Sequence, residues 1–114
     1  MKFQFVYKIC SKSDWLIAKH NKKFHGTKKD IEDGFIHFSD KKQVQGTLKK
    51  HYFNHENLIL LKINALKLVN LVWEQASDGN MFPHLYSHLE IASVCDVYDL
   101  IMNEDGSHKL PSDY

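Results

Sequence analysis

No arginine occurs among the 114 residues; all fifteen basic side chains are lysine. That absence removes the planar fork that grips a phosphate or carboxylate through two parallel hydrogen bonds. Any anion site must therefore use lysine, histidine or backbone N–H groups. Cysteine is almost as scarce. Cys10 and Cys95 stand far apart in apolar, strand-like surroundings with no CxxC spacing. This pattern predicts two reduced core thiols and excludes a disulfide framework. No stretch reaches the ~20 apolar residues of a membrane-crossing helix. The opening MKFQFVYK alternates, where a signal peptide has a continuous apolar block. A cytoplasmic protein with no membrane partner is expected. No GxSxG elbow, GxGxxG turn or GxxxxGK[ST] loop is present, which argues against a serine hydrolase and against glycine-loop nucleotide binding.

What is present fits one small globular domain: 43% hydrophobic and 25% charged residues are ordinary proportions for a single modest core. The net charge of +1 hides an imbalance. Residues 1–57 hold 12 lysines against 6 acids (+6), and residues 58–114 hold 3 against 8 (−5). Four Lys-Lys pairs lie in the first half, at 22–23, 28–29, 41–42 and 49–50. They offer a basic face for phosphates, although solvated helix ends and loops are the simpler reading.

Phe3 to Ile9 alternates as a strand, and Ser11 or Ser13 is placed to cap a helix running to about Lys22. Residues 23–33 are polar and irregular, a mobile loop that could serve as a lid. Residues 34–38 form a short strand. A second helix follows from Ser39 or Asp40, with Val44, Leu48 and Tyr52 as its buried stripe, weakened by Gly46. Residues 57–63 are the strongest strand. A helical turn at 65–69, a strand at 71–74, a turn-rich loop at 75–83, a helical turn at 90–94 and a last strand at 95–102 complete the order. Too few helices follow residue 57 for a doubly wound sheet. The order fits a single α+β domain over residues 1–102 with two N-terminal helices, followed by a flexible tail at 103–114.

Two segments concentrate polar groups among apolar ones: DGFIHFS at 33–39 and DGNMFPHLY at 78–86. His37 lies inside an apolar strand, where its ring nitrogens need a partner or a ligand. Ser39 is two residues on and leaves the same face. Glu74 ends a strand beside Trp73 and opens the loop leading to His84 and Tyr86, so one loop delivers an acid, an imidazole and a phenol to one wall. His51/His55 and His84/His88 have the four-residue spacing of metal ligands, but neither pair sits in a firm helix or beside a CxxC or HExxH. No metal site is expected.

The segments Tyr7-Lys-Ile9, DGFIHFS, 58–63, Val72-Trp-Glu74 and FPHLY, in that order over roughly residues 5–100, resemble a small bacterial family known as domain of unknown function 952. That family is grouped by fold with the ADP-ribosyltransferase-like proteins. The resemblance implies a split, mixed or antiparallel sheet with NAD clasped between its halves. It further implies that His37 holds the nicotinamide ribose, that Ser39 fixes the amide, and that His84 and Tyr86 pack against the ring; with Phe82 these are the candidate cofactor-binding residues, and His37, Glu74 and His84 are the candidate catalytic set. The glutamate usual near the last strands has no ordered counterpart, since Glu74 precedes His84 and Glu90 lacks a motif. Two functions stand side by side: an NAD-using ADP-ribosyl- or phospho-transferase or NAD-cleaving enzyme, and a non-catalytic module that binds a nucleotide or other small ligand in the same cleft. RNA is a weaker candidate partner, and a purely structural protein is a third reading.

Overall fold

Every strand pairing in the computed structural model, which describes residues 4–114, is antiparallel. The largest sheet is built on β1 (Phe5–Ser11), β4 (Leu58–Asn64), β8 (Val94–Met102) and β9 (His108–Lys109), in that order. A second sheet has β3 (Ile36–His37), β6 (Met81–Leu85) and β5 (Leu71–Gln75), and β2 (Lys23–Phe24) pairs with β7 (Leu89–Glu90). Three α-helices accompany them: α1 (Lys12–Asn21), α2 (Lys28–Asp33) and α3 (Val44–His51). The protein is thus a small α+β domain with antiparallel sheets, with three helices before β4 instead of two. Among the described residues no helix is long and apolar enough to cross a membrane. Phe3, read as the start of the first strand, lies outside the described residues.

β1 and β4 are buried on both faces, which explains their near-continuous apolar sequence. Val6, Cys10, Ile59, Leu61 and Ile63 pack with Trp15 and Ala18 of α1, with Ile36 and Leu85 of the second sheet and with Phe38 just beyond β3. Tyr7, Ile9, Leu58 and Leu60 face the other way, onto Val44 and Leu48 of α3. The Ser11 side chain accepts from the Asp14 N–H at 3.0 Å and starts α1.

Two sequence expectations give way here. Residues 23–33 are not irregular: Thr27 and Asp30 form a reciprocal capping box that starts α2, and Asp30 is 2% exposed, so the segment is tied into the fold. Residues 81–83 belong to a strand, not to a loop. β6 carries Pro83 and His84 as the middle strand of its sheet. Pro83 is tolerated because it stands where the β3–β6 ladder ends. Its carbonyl accepts from the Phe38 N–H at 3.0 Å, but it has no N–H to return the bond. One residue later the chain leaves β6 for β1, where Ser39 and Tyr7 exchange two backbone bonds of 2.8 and 2.9 Å. That crossing joins the two sheets.

Cys10 is buried as expected, but Cys95 is exposed, because β8 turns it away from the core. Burial pushes the Cys10 thiol up to about 12, which leaves it unreactive at neutral pH.

Residues 103–114, read from the sequence as a flexible tail, carry β9 and set Leu110 and Tyr114 against the α3 side of the core. Tyr114 meets the Tyr7 ring edge-on at 5.6 Å. A turn at Asn103–Ser107 reverses the chain, and the Gly106 carbonyl accepts from the Asn54 N–H at 2.9 Å. Gly106 has φ +90°, and a Cβ there would fall against the Asn54 side chain. Gly106→Ala is therefore expected to lower stability by about 1–3 kcal/mol, read as a lower urea midpoint. A midpoint equal to that of the parent protein would contradict the docking of this segment.

Candidate functional site

Strand alternation decides which side chains reach the site. In β6 and the residue after it, Pro83 and Leu85 point into the core, so Phe82, His84 and Tyr86 share the opposite face. Around β3, Ile36 and Phe38 are buried, leaving Phe35 and His37 on that same face. His37 and His84 are direct cross-strand partners, with ring centroids 5.4 Å apart. Phe35 stacks on His84 at 4.1 Å and also touches Tyr86 at 5.3 Å. One patch thus gathers two imidazoles, a phenol and two phenyl rings.

Though neighbours, the two histidines are held differently. His37 Nδ1 lies 2.6 Å from Asp30 Oδ1 and its Nε2 lies 2.9 Å from Asp33 Oδ2, so both ring nitrogens are engaged by carboxylates of α2. His84 Nδ1 donates to Glu74 Oε1 at 2.7 Å, and the Tyr86 hydroxyl donates to the same oxygen at 2.6 Å. No described residue takes His84 Nε2. A carboxylate on Nδ1 fixes the tautomer with Nε2 as acceptor, the arrangement that suits an imidazole for proton transfer or for receiving a ligand's N–H or O–H. The hydrogen bonds from Tyr86 and then His84 hold the Glu74 carboxyl below the usual carboxylate range, and Glu74 in turn raises the Tyr86 phenol.

Beneath His37 lies a buried charge pair. Lys8, 3% exposed in the middle of β1, places Nζ 2.8 Å from Asp30 Oδ2 and 3.0 Å from Oδ1. Asp30 also accepts from the backbone N–H of Thr27 at 2.9 Å and of His37 at 3.1 Å. Burial by itself would raise the Asp30 carboxyl. The hydrogen bond from His37 and the charge and hydrogen bond of Lys8 outweigh it and hold the group well below its ordinary value.

A cleft of about 720 Å³ opens beside this pair, between the edge of β1, the face of α3 and the β5–β6 hairpin. His37, Ser39, Phe82 and His84 line it, as do Lys29, Lys42, Lys50 and His51. Glu74 and Tyr86 do not; they act on the cleft only through His84. Ser39 Oγ is buried and lies 3.1 Å from Thr47 Oγ1, which ties the strand end to α3. Of the two acids on the wall, Asp30 is consumed by Lys8 and His37, and Asp78 accepts from the Asn80 N–H at 2.9 Å in the hairpin turn. Burial and the nearby Lys50, Lys29 and His37 push the His51 imidazole below its usual value, consistent with a cationic surrounding.

Sequence reading found His37, Ser39, Phe82 and His84 on this wall but missed Lys8, Asp30 and Asp33 and the α3 face. The signals existed: Lys8 is the only charge within the apolar run Val6–Cys10, Thr27 and Asp30 have capping-box spacing, and Lys42, Gly46 and Lys50 recur every four residues. Among the described residues, no three His, Cys, Asp or Glu side chains are grouped to hold a metal ion. His88 instead pairs with Glu90, on β7.

Comparison with known proteins places the fold. The model of the family described as protein of unknown function DUF952 matches residues 9–97. The crystal structure of protein CC0527 from Caulobacter crescentus is 39% identical in sequence, with a TM-score of 0.88 over 92% of this chain and 93% of that one. The solution NMR structure of CC0527 has a TM-score of 0.82 at 39% identity, over 92% of this chain and 91% of that one. No curated protein matches.

Two outcomes follow from this geometry. Asp30→Ala strands the Lys8 ammonium in the core and is expected to cost about 3–5 kcal/mol in chemical denaturation; a loss under about 1 kcal/mol would contradict the pair's place in the fold. Because Asp30 titrates low in the folded chain, its contribution is fully present above the unfolded value of about 4 and is lost as pH falls through and below it. Long-range proton–nitrogen NMR is expected to find neutral His84 protonated at Nδ1. Protonation at Nε2 instead would show that Glu74 does not orient the ring.

Proposed function

The chain belongs to the family described as protein of unknown function DUF952, and we propose that its cleft binds an anionic ligand of nucleotide size, NAD being the ligand class that the sequence resemblance implies. The observation that carries the reading is the charge of the walls. Lys29, Lys42 and Lys50 reach the cleft while its buried carboxylate is neutralised from within. Without arginine, clustered lysines are the means this chain has for phosphoryl groups. A volume near 720 Å³ is in the range of cofactor sites. Phe82 supplies an apolar wall, Ser39 and Thr47 supply hydroxyls, and His84 Nε2 supplies an oriented acceptor. On this reading His37 shapes the site and does not contact the ligand, since Asp30 and Asp33 occupy both its nitrogens.

A second reading, NAD cleavage or transfer, draws on the Glu74–His84–Tyr86 cluster, which has the parts of an acid–base device. Cleaving the nicotinamide–ribose bond builds positive charge on the ribose, and a carboxylate facing it is the natural stabiliser. Glu74 does not line the cleft, so binding without turnover is favoured. The test is calorimetric titration with NAD, with free nicotinamide followed in the same samples. The parent protein is expected to bind at or below about 1 mM, and His84→Ala about tenfold more weakly, with no nicotinamide released. Steady nicotinamide release abolished in His84→Ala would establish the second reading. No heat of binding at millimolar NAD would remove the cofactor assignment.

A further inference from the structure

Gly46 sits inside α3, where alanine is the better helix former. Nothing in the protein's own packing requires the glycine. Its φ is not positive, and a Cβ built there meets no atom within 4 Å. The space that Cβ would enter is the cleft, because Gly46 lines it. Lys42 and Lys50, four residues to either side, line it too, while Val44 and Leu48 hold the opposite side of the helix in the core. Neither lysine is ion-paired among the described residues, where the lysine ion pairs are made by Lys8, Lys12 and Lys29; the charge of Lys50 does act on the Asp78 carboxylate of the same cleft. The result is a saddle, with Lys42 in the turn just before α3 and Lys50 in its last turn, and bare backbone at Gly46 between them. Their flexible stems let both reach inward over the gap.

We propose that Gly46 is the specificity-determining position of the cleft: a diphosphate ester lies against the α3 backbone there, bridged by Lys42 and Lys50. The proposal rests on the nucleotide reading of the cleft and narrows it from anions in general to diphosphates. One phosphoryl group satisfies only one end of the saddle, whereas a diphosphate engages both. A methyl group at position 46 enters the space the ligand needs while favouring the helix, so folding and binding change in opposite directions.

The experiment is calorimetry with ADP, AMP and NAD on the parent chain, Gly46→Ala and Gly46→Leu, with thermal unfolding of each. ADP is expected to bind at least about tenfold more tightly than AMP. Gly46→Ala is expected to raise Tm by about 3–6 °C yet weaken ADP and NAD about tenfold, and Gly46→Leu to weaken them further. Parent affinity retained in both variants, or AMP binding as tightly as ADP, would overturn the proposal while leaving the cleft reading in place. Failure of the parent chain to bind any of the three would overturn both.

Discussion

The buried contact between Lys8 and Asp30 is the constraint on which the rest of the site depends. A lysine in the middle of a doubly buried strand has no route to solvent, so it needs a carboxylate brought to it. Asp30 is that carboxylate, and meeting Lys8 fixes where α2 lies. The same side chain caps α2 through Thr27 and receives both the backbone N–H and the ring of His37. One carboxylate therefore sets the approach of β3 to β1, the orientation of a site imidazole and the start of a helix. It also removes its own charge from the cleft, leaving the wall cationic.

This arrangement explains why two histidines facing each other across a sheet differ in what they offer. His37 is enclosed by two carboxylates of one short helix and serves as a strut. His84 has one carboxylate partner, itself shared with Tyr86, and keeps a nitrogen for whatever enters. Its ring is also clamped by Phe35, so the free nitrogen is held in place. An imidazole positioned from behind and from one face has lost most of its rotational freedom before a ligand arrives. The opposing wall follows a different logic. On α3 the apolar side locks the helix register, which lets Gly46 and Lys50 share the cleft side with Lys42 of the preceding turn.

Much of this was legible in the sequence where periodicity and burial agree. The alternation of β1 and the apolar run of β4 gave strands within two residues of those observed, and Val44, Leu48 and Tyr52 marked the buried side of α3. The segments around His37 and His84 stood out because polar rings in apolar settings demand partners. What could not be read was which partner each ring takes. Asp30 and Asp33 lie in a stretch whose charge suggested a loop, and the helix there rests on the Thr27–Asp30 capping box together with the contact of Asp30 with Lys8. Pro83 hid β6, since its place at the end of a ladder depends on where Phe38 leaves for β1. The polar composition of residues 103–114 likewise conceals Leu110 and Tyr114, which find their cover on α3 and β1.

The proposed role of the cleft between β1, α3 and the β5–β6 hairpin is to bind a nucleotide-class ligand, held through its phosphoryl groups by α3. A proton–nitrogen NMR titration of the labelled chain with ADP-ribose tests it directly. The account predicts saturable shifts concentrated on residues 42–51 and on His84, with residues 103–114 unmoved. No shifts at millimolar ligand, or shifts confined to other surface lysines such as Lys19 and Lys67, would contradict it.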